Sequence, residues 1–187
     1  MSKARPRGQP PLPAGPIPKE KHMGIDVYTF YRTTGPDGDV LNNCGDLDID
    51  WTTVLGHPIN IGWSDKVWTY GSDEKPDNVG YIRESYHGHA HPIRILAPES
   101  FDFDLYEKIG KTDEDGYHNH SGVYIPLEVL NQRLPETLEA ARLRYSQYDG
   151  DPAQAESWWG YQQYIDFVKV HEIISAGDLQ PYVLNSY

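Results

Sequence analysis

A chain of 187 residues with 38% hydrophobic residues, fourteen Tyr and five Trp is long enough for one aromatic-rich core and too short for two large ones. Its single cysteine, Cys44, excludes an intramolecular disulfide framework and a cysteine-based zinc cluster, and suits a reducing compartment. No run approaches the roughly 18–20 apolar residues of a membrane span, no apolar secretory segment opens the chain, and a net charge of −12 repels nucleic-acid phosphates, so the expectation is a soluble, cytoplasmic protein with neither membrane nor nucleic acid as partner.

Residues 1–22 carry Lys3, Arg5, Arg7, Lys19 and Lys21 against Glu20 alone, in a Pro-rich text with almost nothing to bury. That composition predicts a disordered or polyproline-like basic tail ahead of one domain over 23–187, with Met23 a candidate for the ancestral start. β-Branched and aromatic residues predict a strand over Ile25–Arg32. "TTGPDGDVLNNCGD" reads as a turn-rich loop, with Pro-Asp-Gly supplying a β-turn, and opens an insert-like region over about 33–79. Within it, Trp51–Leu55 and Val67–Tyr70 are short apolar pieces of either type, and "GSDEKPDN" is a loop. "YIRESYHG" admits a strand, or a short helix ended by Gly88.

"PIRILAP" predicts a strand, and Pro98 the opening of a helix through "ESFDFDLYEKIG". Pro135 predicts the start of a helix whose Leu134, Leu138, Ala141, Tyr145 and Tyr148 share a core-facing stripe. In "DPAQ" Asp151 can cap, Pro152 can take the first turn and Gln154 stands at the capping-box position of a second helix. That helix shows Trp158, Tyr161, Ile165 and Val168 on one face and stops before Gly177. "PYVLNSY" predicts a closing strand. Strands at both ends bracket the helices, so the expected class is α+β: a small mixed or antiparallel sheet packed against two longer C-terminal helices.

"YHGHAHPI" places His87, His89 and His91 at alternate positions, which a strand turns to one face. Neutral imidazoles ligate zinc, copper or iron. With His118 and His120 of "YHNH", or Asp46, Asp48 and Asp50 of "GDLDIDW", they compose the parts of a mononuclear hydrolase holding a divalent metal such as zinc. No HExxH or spaced Cys/His pattern accompanies them, and Gly88 and Pro92 interrupt the strand. Surface or loop histidines and no cofactor are therefore the leading expectation. "KTDEDGYHNH" has Lys where an EF-hand needs its first ligand. No nucleophile elbow, phosphate-binding loop or dinucleotide fingerprint is present. Cys44 has no basic neighbour to activate it, and His171 reads as a packed or surface histidine rather than a base.

"GYIRESYHG" gathers a fixed cation, a carboxylate, a phenol and a titratable ring in Arg83, Glu84, Tyr86 and His87. On a strand Arg83 and Glu84 point apart. In a turn or helix Arg83 and His87 meet at a spacing of four and suit a phosphate or carboxylate. The competing reading is that Arg83 and Glu84 make ion pairs that orient the element while Tyr86 packs.

Several of these residues fall into a wider pattern: Met23 to Asp26 with Tyr28, then Gly80, Tyr81, Arg83, Glu84, Tyr86, His87 and Gly88. It continues through "RLPETLEAARLR" (133–144), "DFV" (166–168) and the final Ser186-Tyr187. The chain thereby resembles an uncharacterised family of small phage, prophage and bacterial proteins that open with "MGIDxY" and contain "GYLREAYHG". The resemblance implies a phage-like origin and a compact α+β domain, without an assigned activity. It asks for His87 but not for His89, His91, His118 or His120, and the usual form is shorter over 33–79 and at the tail. The expectation is a phage-type accessory protein acting by non-catalytic binding of a host or phage protein or a small anionic ligand, such as one that counteracts a host defence or regulatory system. Arg83, Glu84, Tyr86 and His87 are the binding residues. The alternatives are the metal-dependent hydrolase, and a virion-associated structural component whose Pro-rich arm reaches a neighbour.

Overall fold

Alternation along the first strand sets the architecture: Ile25, Val27, Thr29 and Tyr31 are buried, while Asp26, Tyr28, Phe30 and Arg32 between them stay partly exposed. The computed structural model describes residues 24–36, 38–60, 66–85, 91–112, 118–147 and 151–186. In chain order they form β1 (Gly24–Gly35), β2 (Gly38–Asn43), α1 (Trp51–Leu55), β3 (Ile59–Asn60), β4 (Val67–Trp68) and β5 (Ile82–Ser85). Then follow α2 (Pro92–Leu96), β6 (Glu107–Thr112), β7 (His118–Gly122), α3 (Leu127–Gln147), α4 (Trp159–Ala176) and β8 (Gln180–Ser186).

β8 pairs antiparallel with Asp26–Arg32 along one edge of β1, the other edge being shared by β2 on Phe30–Gly35 and β5 on Gly24–Val27. This register sets Glu84 beside Ile25 on the buried face and Arg83 beside Asp26 on the opposite face. The long helices α3 and α4 cover the buried face, closing a core of Ile25, Val27, Ile82, Leu130, Phe167 and Val183. On the other face the β6–β7 hairpin brings Ile109 against Leu41, Phe30 and Tyr182, and Val123 just beyond it bridges to Val183. The hairpin covers one end of that face. Asp26, Tyr28 and Arg83 lie toward the other.

The architecture is α+β, an antiparallel sheet with two longer C-terminal helices, as the bracketing strands predict. Several elements differ from their sequence expectation, each for a local reason. The supposed loop after β1 contains β2, because Gly38 at φ 109° completes a hairpin turn that folds Val40 and Leu41 back on the sheet. The region over 33–79 is a wall of the molecule: Cys44, Trp51, Ile59 and Trp68 bury against Tyr31, Val170 and Ile174 of the main body. "PIRILAP" is the helix α2, not a strand. Pro92 cannot donate to a ladder but fits the first helical turn, and Ile93, Leu96 and Ala97 are buried at helical spacing.

The helix expected from Pro98 is two short 3-10 turns, Pro98–Phe101 and Phe103–Leu105. Ser100 bonds to the Ala97 carbonyl at 2.8 Å and Asp102 accepts from the Asp104 amide at 3.1 Å, local side-chain bonds that compete with a continuing helix. Glu107–Thr112 then enters the hairpin. Helix α3 starts at Leu127, with Pro135 inside it, since Leu127 and Leu130 carry the apolar stripe further back. Asp151 does cap, accepting from the Ala153 amide at 3.0 Å, but the turn it opens is 3-10 and α4 begins at Trp159. Tyr148 lies outside the described residues, as does the tail expected over 1–22.

Candidate functional site

Strand β5 decides the local geometry, because its alternation sends two adjacent charged side chains to opposite faces of the sheet. Glu84 goes inward, with its side chain 1% exposed. Its carboxylate collects four donors from three helices. The Tyr164 hydroxyl of α4 and the Ile93 amide of α2 (2.9 Å) reach Oε1. The Arg144 guanidinium of α3 (2.9 Å) and Nδ1 of His91, which precedes α2 (3.1 Å), reach Oε2. A carboxylate taken out of water is tolerable only with such a complete set of partners. Burial, then the Glu84 charge and its hydrogen bond, raise the Tyr164 hydroxyl pKa well above its ordinary value, so the phenol is the donor.

Arg83 goes the other way, onto the face that the hairpin leaves uncovered. Its backbone amide donates to the Gln163 side chain at 3.0 Å, and its Nε lies 3.8 Å from Asp26. The Tyr81 hydroxyl bonds to Asp26 and to Arg83, and its pKa is raised by burial first and by the Asp26 bond next. Tyr81 packs on Tyr28 with ring centroids 5.0 Å apart. Gly80 makes this approach possible. At φ 69° a Cβ there would lie 2.9 Å from Thr29, whose hydroxyl donates to the Gly80 carbonyl at 2.8 Å.

Two cavities open beside Tyr81 and Arg83, and both residues line each of them. The larger, about 640 Å³, lies between the Leu55–Ile59 segment and the first turns of α4, with His57, Trp159 and Asp166 on its walls. The smaller, about 400 Å³, runs over the open sheet face, with Tyr28 and Phe30 as its floor and Asn43, Asp77 and Asn78 around it. Together they form a cleft with a guanidinium and a phenol at the middle, aromatic rings on one side and a mixed polar wall on the other.

The larger cavity also holds Ser157, His57 and Asp166, the residue types of a hydrolytic triad, yet their bonds are already committed. His57 Nε2 meets Asp166 Oδ2 at 2.7 Å and its Nδ1 meets the Pro58 carbonyl at 3.1 Å, while Ser157 donates to the Gln154 carbonyl at 2.8 Å. An imidazole with both nitrogens on oxygen acceptors has none left to take a proton from serine. The pair ties the Leu55–Ile59 segment to α4. Burial raises the Asp166 carboxyl pKa, against the lowering bonds from Gln162 and His57. Cys44 is buried, donates to the Thr29 carbonyl at 3.0 Å, and has its thiol pKa pushed up by burial, so it is no nucleophile. His171, on the buried face of α4, is packed at a centroid distance of 4.4 Å on Phe167.

Of the residues singled out from the sequence, Arg83 lines the cleft and Glu84 sits behind it in the core, out of reach of a ligand in either cavity. Each has an ion-pair partner, Asp26 and Arg144. Tyr86, His87 and His89 lie outside the described residues. His91 turns to Glu84 on the helix-covered face, whereas the His118 and His120 backbone positions are on β7, in the hairpin over the opposite face. Among the described residues no group of three His, Cys, Asp or Glu is placed to hold a metal ion. Sequence reasoning missed His57, Asp166, Trp159, Tyr28, Arg144 and Tyr164 as members of these sites, since each comes from an element distant in sequence. Among the described residues no helix is long and apolar enough to cross a membrane. Compared with known family models, with curated proteins and with solved structures, the chain matches none.

Proposed function

We propose that this protein acts by binding rather than by catalysis, and that its site is the cleft around Arg83, which receives a small ligand bearing an anionic group. The observation that carries this reading is the junction of the two cavities: both are lined by Tyr81 and Arg83, so a ligand filling either one meets the guanidinium. The carboxylates in the larger cavity already have partners of their own, the Arg142 guanidinium for Glu156 at 2.9 Å and the His57 ring for Asp166 at 2.7 Å, which limits their repulsion of an anion. Ser157, His57 and Asp166, the hydrolytic residue types in the larger cavity, are held in structural bonds, which favours binding over a serine-type hydrolysis there. The resemblance to phage proteins adds an accessory role in an infected host cell.

The test is calorimetric titration of the purified chain with inorganic phosphate, a dicarboxylate and a nucleotide, repeated on Arg83→Ala. Binding of at least one anion that is lost in Arg83→Ala, with the melting temperature kept, is the expected result. Unchanged binding in the variant removes Arg83 from the site, and no binding of any anion removes the reading.

A further inference from the structure

The smaller cavity has a chemistry of its own, distinct from a generic anion site. Its floor is the open face of β1, where Tyr28 and Phe30 stand two residues apart with ring centroids at 6.2 Å, and Tyr81 leans against Tyr28 from the neighbouring segment. Around these rings stand an amide at Asn43, another at Asn78 and a carboxylate at Asp77. A planar ring with a hydrogen-bonding edge satisfies both parts at once: its face stacks on the aromatic floor and its N–H and C=O groups meet the rim. The Asp77 carboxylate, an acceptor at both oxygens, suits a ring with two adjacent N–H donors, the arrangement on guanine.

Along β1 toward its start, Asp26 follows on the same face roughly 7 Å beyond Tyr28, and Arg83 stands beside it. That order, rings then carboxylate then guanidinium, matches base, sugar and phosphate. Sugar hydroxyls donate to a carboxylate, and a phosphate pairs with a guanidinium. Past Arg83 lies the larger cavity, whose wall includes Trp159 at the start of the 18-residue helix α4. The N-cap residue Trp158 makes no side-chain cap bond, and the positive end of the helix adds to the attraction of a phosphate.

We infer that the ligand of this cleft is a nucleoside monophosphate, purine and best guanine, with the base on Tyr28 and Phe30, the ribose at Asp26 and the phosphate beside Arg83. This rests on the binding reading above and names its ligand class. Calorimetry on the full chain uses four probes: guanosine 5′-monophosphate, guanosine, ribose 5-phosphate and inorganic phosphate. The expected result is that the nucleotide binds roughly tenfold or more tightly than ribose 5-phosphate, the margin that stacking of one base supplies. Tyr28→Leu abolishes that margin and leaves ribose 5-phosphate binding unchanged. Arg83→Gln abolishes the preference for the nucleotide over guanosine, and Arg83→Lys restores part of it. Circular dichroism on each variant separates loss of the site from loss of the fold.

If ribose 5-phosphate or inorganic phosphate binds as tightly as the nucleotide, and Arg83→Gln weakens it, the nucleotide assignment is overturned while the anion-binding reading stands. If none of the four probes binds, the nucleotide assignment is overturned, and the dicarboxylate titration decides the broader reading separately.

Discussion

Glu84 receives donors from Tyr164, Ile93, Arg144 and His91, and all of them lie on helices or at a helix start packed over the sheet. Replacing it by Ala leaves the Arg144 guanidinium, 7% exposed, without its carboxylate, and is expected to cost about 3–5 kcal/mol in urea denaturation. Tyr164→Phe removes one hydrogen bond to a charged group and is expected to cost about 2 kcal/mol. His171 supplies a pH dependence. Its ring is wholly buried, with Nδ1 2.8 Å from the Phe167 carbonyl, and burial pushes its pKa down from 6.5 to about 4. In the unfolded chain the ring takes up its proton near pH 6.5, so the unfolded state binds more protons between pH 6.5 and 4. Stability from this residue is whole above that window and falls through it, by about 3 kcal/mol at the acid end. Comparing urea midpoints at pH 7 and pH 4.5 for the parent and His171→Leu checks this: the variant is expected to lose less stability on acidification.

At the scale of elements, Pro135 sits exposed in the interior of α3, where it removes the amide that would bond back to the Asn131 carbonyl. Pro135→Ala is expected to stabilise the protein by roughly 1–3 kcal/mol, read as a raised melting temperature. Gly80→Ala is expected to do the reverse, by more than about 1 kcal/mol, because its left-handed backbone and the 2.9 Å approach to Thr29 both oppose a side chain. These two positions also show what local reading captures. The apolar stripe of α3 was legible, yet Pro135 marked its start wrongly, since proline signals a first turn without forbidding an earlier one. β1, β8 and the end of α4 at Gly177 were legible from β-branched and aromatic content and from a glycine stop. "PIRILAP" was not, because a short apolar run of this length is compatible with either period.

For the whole molecule, β1 is the central strand, with β8 along one edge over Asp26–Arg32, β5 and β2 on the other edge over Gly24–Val27 and Phe30–Gly35, and helices and hairpin pressing on its two faces. Its amides are expected to exchange with solvent only through global unfolding, while those of the two-residue strands β3 and β4 exchange faster by local opening. Equal protection in hydrogen-exchange mass spectrometry would contradict this account of the core. Sequence alone determined the α+β class, the two long C-terminal helices and the opposite orientation of Arg83 and Glu84 once β5 is a strand, because these follow from side-chain periods within single segments. Only the tertiary structure decided that β5 is a strand, that Glu84 joins Arg144 and Tyr164, and that Arg83 shares a cleft with His57, Tyr28 and Trp159. Those groupings join residues up to 80 positions apart, and no local period carries the pairing of edges and faces that brings them together.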